Sequence, residues 1–389
     1  MLHVRCIDRL EEFDAMRSAW NSLIDPAVAQ AIFLRHEFVR TWFEAYGSGG
    51  TPHLLVATRG GSLRGILPLR SWRERFAGLP VRRLDLMANG HSPCADLIAA
   101  PGLEAEVVSA FAAHLQDNEP AWDASGLAEI HVDANLARLI ERFPRGGRSV
   151  VPQRRAPYMR LGMQWEELRG GLSKNFQRVL RNNRNRIARS GTARIELLEE
   201  PAALAAGLAD MFAIGERSWQ GASGSAVGSN AANRLFYSRL VDELGALGVV
   251  RLWFLNLGGR RVAFELHVVH AGVEFGLKTG YDRDTEQQGT GTFLDQSIVE
   301  QLCAERHVTE YDLLGDSDAY KLRWTPLGRD YVRATLFGAG ANARFLSLWN
   351  LKFKPVLRRA PAAHRLRAAM FRAVIVGDCV AAAAHGMGQ

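Results

Sequence analysis

Three strand-length apolar stretches follow one another in the second half of the chain: Val249 to Leu257, Arg261 to His270 and Val273 to Gly280. Leu257-Gly258-Gly259 turns the chain after the first. Alternating runs of this length with tight turns between them read as an antiparallel meander. The last run contains Gly276-Leu277-Lys278-Thr279-Gly280-Tyr281 and leads into Gln288-Gly289-Thr290-Gly291-Thr292, then a helix bearing Leu294, Ile298 and Leu302. A strand, a glycine loop and a helix start present unpaired backbone N–H groups in one direction, where the helix dipole favours negative charge. Glycine lets the backbone approach a ligand closely. Each such contact gives about 0.3–1 kcal/mol, so several donors must act together. A pyrophosphate suits the arrangement, which makes Gln288, Gly289, Thr290, Gly291 and Thr292 candidate cofactor-binding residues. The alternative is a plain glycine turn with Thr290 or Thr292 capping the helix.

The remaining chain reads as mixed α and β. Expected elements in the first part are a strand Val4 to Ile7, a helix opened by an Asp8/Glu11 capping box and running to about Leu23, and a helix Arg35 to Tyr46. A hairpin His53 to Thr58 and Ser62 to Leu69 turns at Gly60-Gly61, before a strand Val81 to Met87, a helix Glu104 to Gln116 and a strand Leu127 to Val132. Pro144-Arg145-Gly146-Gly147-Arg148 marks a boundary. Beyond it come the extended Pro157 to Leu161, a helix Ser173 to Arg189, a strand Ile195 to Leu198, and helices Ala202 to Trp219 and Ala231 to Leu247 about a GASGSAVGSN loop. Strands Glu310 to Leu314 and Tyr331 to Phe337 follow. The expected class is α+β: two lobes, 1–150 and 151–340, each a mostly antiparallel twisted sheet flanked by helices, with a basic helical tail over 341–389.

Composition excludes several classes. A 47% hydrophobic share in 389 residues argues against disorder. Cys6, Cys94, Cys303 and Cys379 are far apart, with no metal-ligand spacing, so neither a metal nor a disulfide framework is expected. MLHVRCIDRLEEF has acids where a secretory signal has its apolar run, and Ala373 to Ala384 is too short to span a bilayer; a cytoplasmic protein is expected. Of the basic residues, eight lie beyond Gly340 against one acid, leaving forty of each sign elsewhere. That tail, with Phe345, Leu348, Trp349, Leu351 and Phe353 among its cations, is either an amphipathic helix on anionic membrane or a helix docked on the second lobe.

Polar residues inside apolar elements mark the chemistry. In Ser173 to Arg189, Phe176, Leu180, Asn183 and Ile187 fall within a stripe of roughly 60°, and Lys174, Arg178, Arg181 and Arg189 within roughly 80° opposite. Such an acid-free ridge is either a solvated face or a seat for phosphates, with Arg178 and Arg181 as substrate-binding candidates. Nucleic acid fits least, because no stacking aromatics accompany the arginines. Alternation places Glu265 and His267 on one strand face, and Glu274 and Lys278 on one face of the next. Glu265 is the candidate base, with His267 second; His267 and Lys278 are also candidate substrate contacts. A cross-strand Glu265–Lys278 ion pair is the structural alternative.

The loop Glu286-Gln287-Gln288-Gly289-Thr290-Gly291 resembles the Q/R-x-x-G-x-G/A acyl-CoA pyrophosphate loop of the GNAT acetyltransferase superfamily, departing from it in Glu286. Pro157-Tyr158-Met159-Arg160-Leu161, Phe176 to Arg181, Tyr311-Asp312-Leu313-Leu314-Gly315 and Tyr320-Lys321-Leu322-Arg323-Trp324, in that order, resemble the CelD/BcsL group of cellulose and exopolysaccharide biosynthesis and, more distantly, the FemABX peptidyltransferases. The resemblance covers about Pro157 to Phe337. It implies tandem GNAT-like lobes and acyl transfer from acetyl-CoA or another acyl-CoA to an amine or hydroxyl of a small-molecule or saccharide acceptor. It also implies that Lys321 steadies the transferring acyl group and that Tyr320 protonates the leaving thiolate; ordinary packing is the alternative for Tyr320. Rival readings are a FemABX-like transferase using aminoacyl-tRNA and a non-catalytic sugar- or partner-binding relative, the latter suggested by Glu286.

Overall fold

The computed structural model describes residues 1–117, 122–218 and 227–353. The first half runs β1 (His3–Ile7), α1 (Leu10–Ala15), α2 (Arg17–Asn21), α3 (His36–Tyr46), β2 (Gly50–Arg59), β3 (Ser62–Phe76), β4 (Leu79–Leu86), β5 (Ile98–Ala99), α4 (Glu104–Asp117), β6 (Ala124–His131), α5 (Asn135–Glu141) and β7 (Arg148–Arg160). The second runs α6 (Trp165–Gly171), α7 (Lys174–Arg189), β8 (Ala193–Leu198), α8 (Pro201–Arg217), α9 (Ala231–Gly245), β9 (Val250–Leu257), β10 (Arg260–His270), β11 (Val273–Tyr281), α10 (Thr290–Ala304), β12 (Glu310–Asp312), β13 (Gly328–Phe337) and α11 (Ala341–Leu348). Most of the glycine-rich loop before α9 and residues 354–389 of the tail lie outside the described residues.

The two halves repeat one plan. In each, a strand and helices precede a meander (β2-β3-β4; β9-β10-β11), and a helix then leads to a strand parallel to the meander's last member. The closing strands are exchanged: β7 pairs with β12, β13 pairs with β6, and β7 and β13 pair with each other. All join one sheet, ordered β1-β2-β3-β4-β6-β13-β7-β12-β11-β10-β9-β8, with β5 beside β3.

Alternation decides the packing. Phe254, Phe264, Leu266 and Val268 meet Leu204, Met211 and Phe236 of α8 and α9 on one face of the second-half sheet. Trp253, Leu255, Ala263 and Tyr311 meet Phe176, Leu180, Leu294 and Ile298 of α7 and α10 on the other. The first of these cores continues into the first half, where the Phe33 ring lies 5.0 Å from Phe275 and Phe38 lies 5.7 Å from Phe236. Each such ring contributes roughly 1.5–3 kcal/mol by leaving water.

Two local expectations are corrected. The Asp8/Glu11 capping box does not form, because the first helix starts at Leu10. Arg9 takes the cap position without a side-chain bond, which leaves Asp8 one residue too early. That helix stops at Ala15 and a second short one carries Trp20, so Phe13 and Trp20 both pack on His36. The strand expected to reach Leu314 ends at Asp312, since Leu314 adopts a left-handed φ of 49°. The hairpin turn holds as expected, with Gly60 and Gly61 at φ 55° and 78°. Ser173 caps α7 by accepting from the Phe176 amide at 3.2 Å, and α7 buries the four residues of its apolar stripe.

Candidate active site

The site begins as a fault in the sheet. Leu266 pairs with Lys278 and His267 with Gly276, so Leu277 has no partner in β10. One extra residue reverses the facing of everything after it. Lys278 therefore lies opposite Leu266, away from the face carrying Glu265, His267 and Glu274. This corrects the expectation that Glu274 and Lys278 share a face, and the Glu265–Lys278 ion pair does not form. β12 runs parallel to β11 for only three pairs, from Val273↔Glu310 to Phe275↔Asp312. Beyond them, residues 276–281 and 313–315 border a cavity of about 710 Å³, within the range of small-ligand sites.

A carboxyl pair lies on one wall. Glu265 and Asp295 both line the cavity, and each shifts the pKa of the other. Glu265 is buried, which alone would raise its pKa. Hydrogen bonds from His267 (2.9 Å) and Tyr311 (3.1 Å) to Oε2 outweigh this and hold the carboxyl below the usual range. For Asp295, burial first and the charge of Glu265 second push the pKa well above the usual range. Asp295 thus keeps a proton, while Glu265 Oε1 is buried without a hydrogen-bond partner among the described residues. The pair divides one proton unequally, as adjacent carboxyls must.

Behind the wall, His267 is fully buried between two carboxylates, with Nδ1 2.8 Å from Glu274. Burial opposes its charge, but the bonds to Glu265 and Glu274 push it up to about 9, so it is an imidazolium at neutral pH. Glu274 is held in turn by Arg251 at 3.0 Å, and Arg251 also meets Glu305 and Glu199. His267 is not among the cavity-lining residues; it fixes the charge of Glu265 from behind.

The start of α10 forms the adjoining wall. Gly289 occupies its cap position at φ 76°; no side chain caps the helix, and no acid stands in its first turn. Neither Thr290 nor Thr292 caps it. Gly291 and Thr292 line the cavity, whereas Gln288, Gly289 and Thr290 do not. The Thr290 hydroxyl is buried against that of Thr285 at 2.9 Å. A Cβ at Gly289 would meet the Asn183 side chain at 2.4 Å, so this glycine serves close packing against α7. Glu286 is exposed, lies outside the cavity lining and is hydrogen-bonded to Tyr281.

Tyr320 and Lys321 also line the cavity. Burial keeps the Tyr320 phenol protonated well above its ordinary range. The Lys321 ammonium donates to the Leu314 and Asp316 carbonyls at 2.9 and 3.3 Å and pairs with Asp318 at 3.3 Å, which occupies its three protons. It pins the 314–318 turn. Arg178 and Arg181 are exposed on α7 and outside the cavity lining. The sequence reading missed Asp295, although its spacing from Gly291 and Thr292 places all three on one helix face. It also missed the contributions of Gly90 to Pro93, Gln153, Arg154 and Arg333, which only the fold brings here. Among the described residues, no group of three His, Cys, Asp or Glu side chains is placed to hold a metal ion, and no helix is long and apolar enough to cross a membrane.

Residues 174–322 match the family model of a GNAT acetyltransferase domain. No curated protein matches the sequence. Among solved structures, a conserved protein of unknown function from Bacteroides thetaiotaomicron is similar with a TM-score of 0.54 and 14% identity, covering 86% of this chain and 100% of that one. The C-terminal domain of a protein described as a lysylphosphatidylglycerol synthetase, from Agrobacterium fabrum, gives 0.51 and 11% over 86% and 94%. A tandem GNAT protein from the clavulanic acid pathway gives 0.48 and 14% over 88% and 100%. The fold is GNAT-like, with a mixed sheet flanked by helices.

Proposed function

We propose that this chain transfers an acyl group from acetyl-CoA, or another acyl-CoA, to an amine or hydroxyl acceptor. The observation that carries this is the uncapped, acid-free start of α10 in the same cavity as a carboxyl pair that shares a proton. When bound, acyl-CoA supplies a thioester carbonyl open to attack. The Gly291 and Thr292 end of α10 holds a diphosphate through backbone N–H groups and the helix dipole. Asp295, one turn further along the same face, exchanges the proton. Its raised pKa makes its ionised form a stronger base than Glu265 and its neutral form a ready acid. It gives the proton it holds to the departing sulfur and takes up the one the acceptor loses, so no net proton is gained. Glu265 keeps Asp295 poised, and His267 and Tyr311 keep Glu265 ionised. Tyr320 stays protonated in the same cavity and stands to donate to the departing sulfur.

Likeness to the CelD/BcsL group supports a saccharide precursor as acceptor. A FemABX-like aminoacyl-tRNA donor is the second reading, favoured by the exposed cations Lys174, Arg178, Arg181 and Arg189 of α7. Calorimetry decides between them. Saturable micromolar binding of acetyl-CoA that is lost with the pyrophosphate-free thioester supports the first reading. No binding at millimolar ligand removes it. Steeply salt-dependent binding of charged tRNA establishes the second, and binding of neither leaves a non-catalytic relative.

A further inference from the structure

Lys278 is a cation without a counter-charge. It lines the cavity on the sheet face opposite Glu265, where its ammonium lies 5.8 Å from the Tyr237 ring of α9. Among the described residues it has no hydrogen bond and no ion pair. The groups around it do not compensate: His91, bonded to the Tyr237 hydroxyl at 2.8 Å, is neutral because burial and then Lys278 hold its pKa down at about 4. The nearby Lys321 repels it. Burial and that repulsion bring Lys278 itself down to about 8, leaving it mostly charged at neutral pH.

Two neighbouring cations, Arg154 and Lys321, are already engaged. Arg154 spends its guanidinium on Glu129 at 2.8 Å, Gly315 O at 3.1 Å and Pro93 O at 2.6 Å. Lys321 is saturated as described. A half-buried ammonium without a counter-charge lowers stability, and a methionine of similar reach would fill the same space without that penalty. The bulge at Leu277 turns this ammonium away from the α10 start, so a carrier's diphosphate and Lys278 occupy different faces of the sheet.

We propose that Lys278 is the anion subsite of the acceptor, which carries a carboxylate or a phosphate on the side remote from α10. This rests on reading the cavity as an acyl-transfer site. Inorganic phosphate and acetate are titrated by calorimetry in a Thr292→Glu background, where the helix start is closed to anions. Binding of at least one of them, weakened about tenfold or more by Lys278→Met, is expected; phosphate alone indicates a phosphorylated acceptor and acetate alone a carboxylate. The melting temperature of Lys278→Met should rise. In the unaltered chain, amine labelling of Lys278 should be slowed by the same anion, a readout independent of either substitution. Equal affinities in both variants, or labelling that neither anion slows, overturns the subsite. Acetyl-CoA is titrated on the unaltered chain in parallel. Its failure with anion protection intact removes the proposed donor, whereas the reverse removes only the subsite.

Discussion

The two halves carry the same sequence of elements, yet at the position where the second half has a cavity the first half is bridged. In the first half, Asp85 of β4 accepts from Gly126 N of β6 at 2.5 Å, from Trp72 Nε1 at 2.6 Å and from Arg83 at 2.9 Å. Asp123 ties Arg82 to the neighbouring strand at 2.8 Å. The helix that follows, α4, begins with Glu104 and Glu106, the latter engaged by Arg59. In the second half an extra residue lets β11 and β12 part, and α10 begins with no acid. One plan thus gives a braced scaffold once and an anion-receptive opening once. The difference lies in a few charges and one bulge.

Giving the second half the first half's charge should have the largest effect. Thr292→Glu sets a carboxylate about 4 Å from a bound phosphate. At an effective dielectric of about 20 this costs about 4 kcal/mol, a thousandfold loss of acetyl-CoA affinity. The helix itself tolerates an acid there, so circular dichroism should not change; unchanged affinity would show that the carrier binds elsewhere. Gly289→Glu is no substitute, because the Asn183 contact and the positive φ would damage the fold.

Asp295→Asn should lower kcat by about a hundredfold or more at unchanged acetyl-CoA affinity. Asp295 has a folded pKa above its unfolded value, so its contribution to stability is complete below the ordinary carboxylate range and disappears as pH rises through the folded value. The variant should therefore melt with less dependence on pH across that rise. A kcat equal to that of the parent would return the proton transfer to Glu265.

Breaking the brace is the next test. Asp85→Ala should lower stability by roughly 2–3 kcal/mol in urea, by orphaning the Gly126 amide and the Trp72 indole, and should spare acetyl-CoA binding. Smallest of all, Glu104→Gln with Glu106→Gln should leave stability unchanged and add no second carrier site, because the bridge remains. A second site in calorimetry would show that charge alone separates the halves.

Much of this was legible in the residues. The strand alternation around Glu265, the four-residue stripe of α7 and the glycine turn at 60–61 are local patterns, and local sterics and burial enforce them. Asp295 was legible in principle, since helical spacing ties it to Thr292, but nothing local says that a carboxyl there keeps its proton. That depends on Glu265, thirty residues away, and on the desolvation both share. Lys278 was misplaced because a two-residue period carries no notice of a bulge.

The sequence by itself determined the α+β class, the run of elements and the presence of a glycine-led helix start, because each follows from contacts between near neighbours. Only the tertiary structure decided that β7 and β13 change places, that β11 and β12 part, and which carboxyls and ammoniums meet in the gap. Strand register and dielectric environment are set by distant segments packing together, and charge states follow from them.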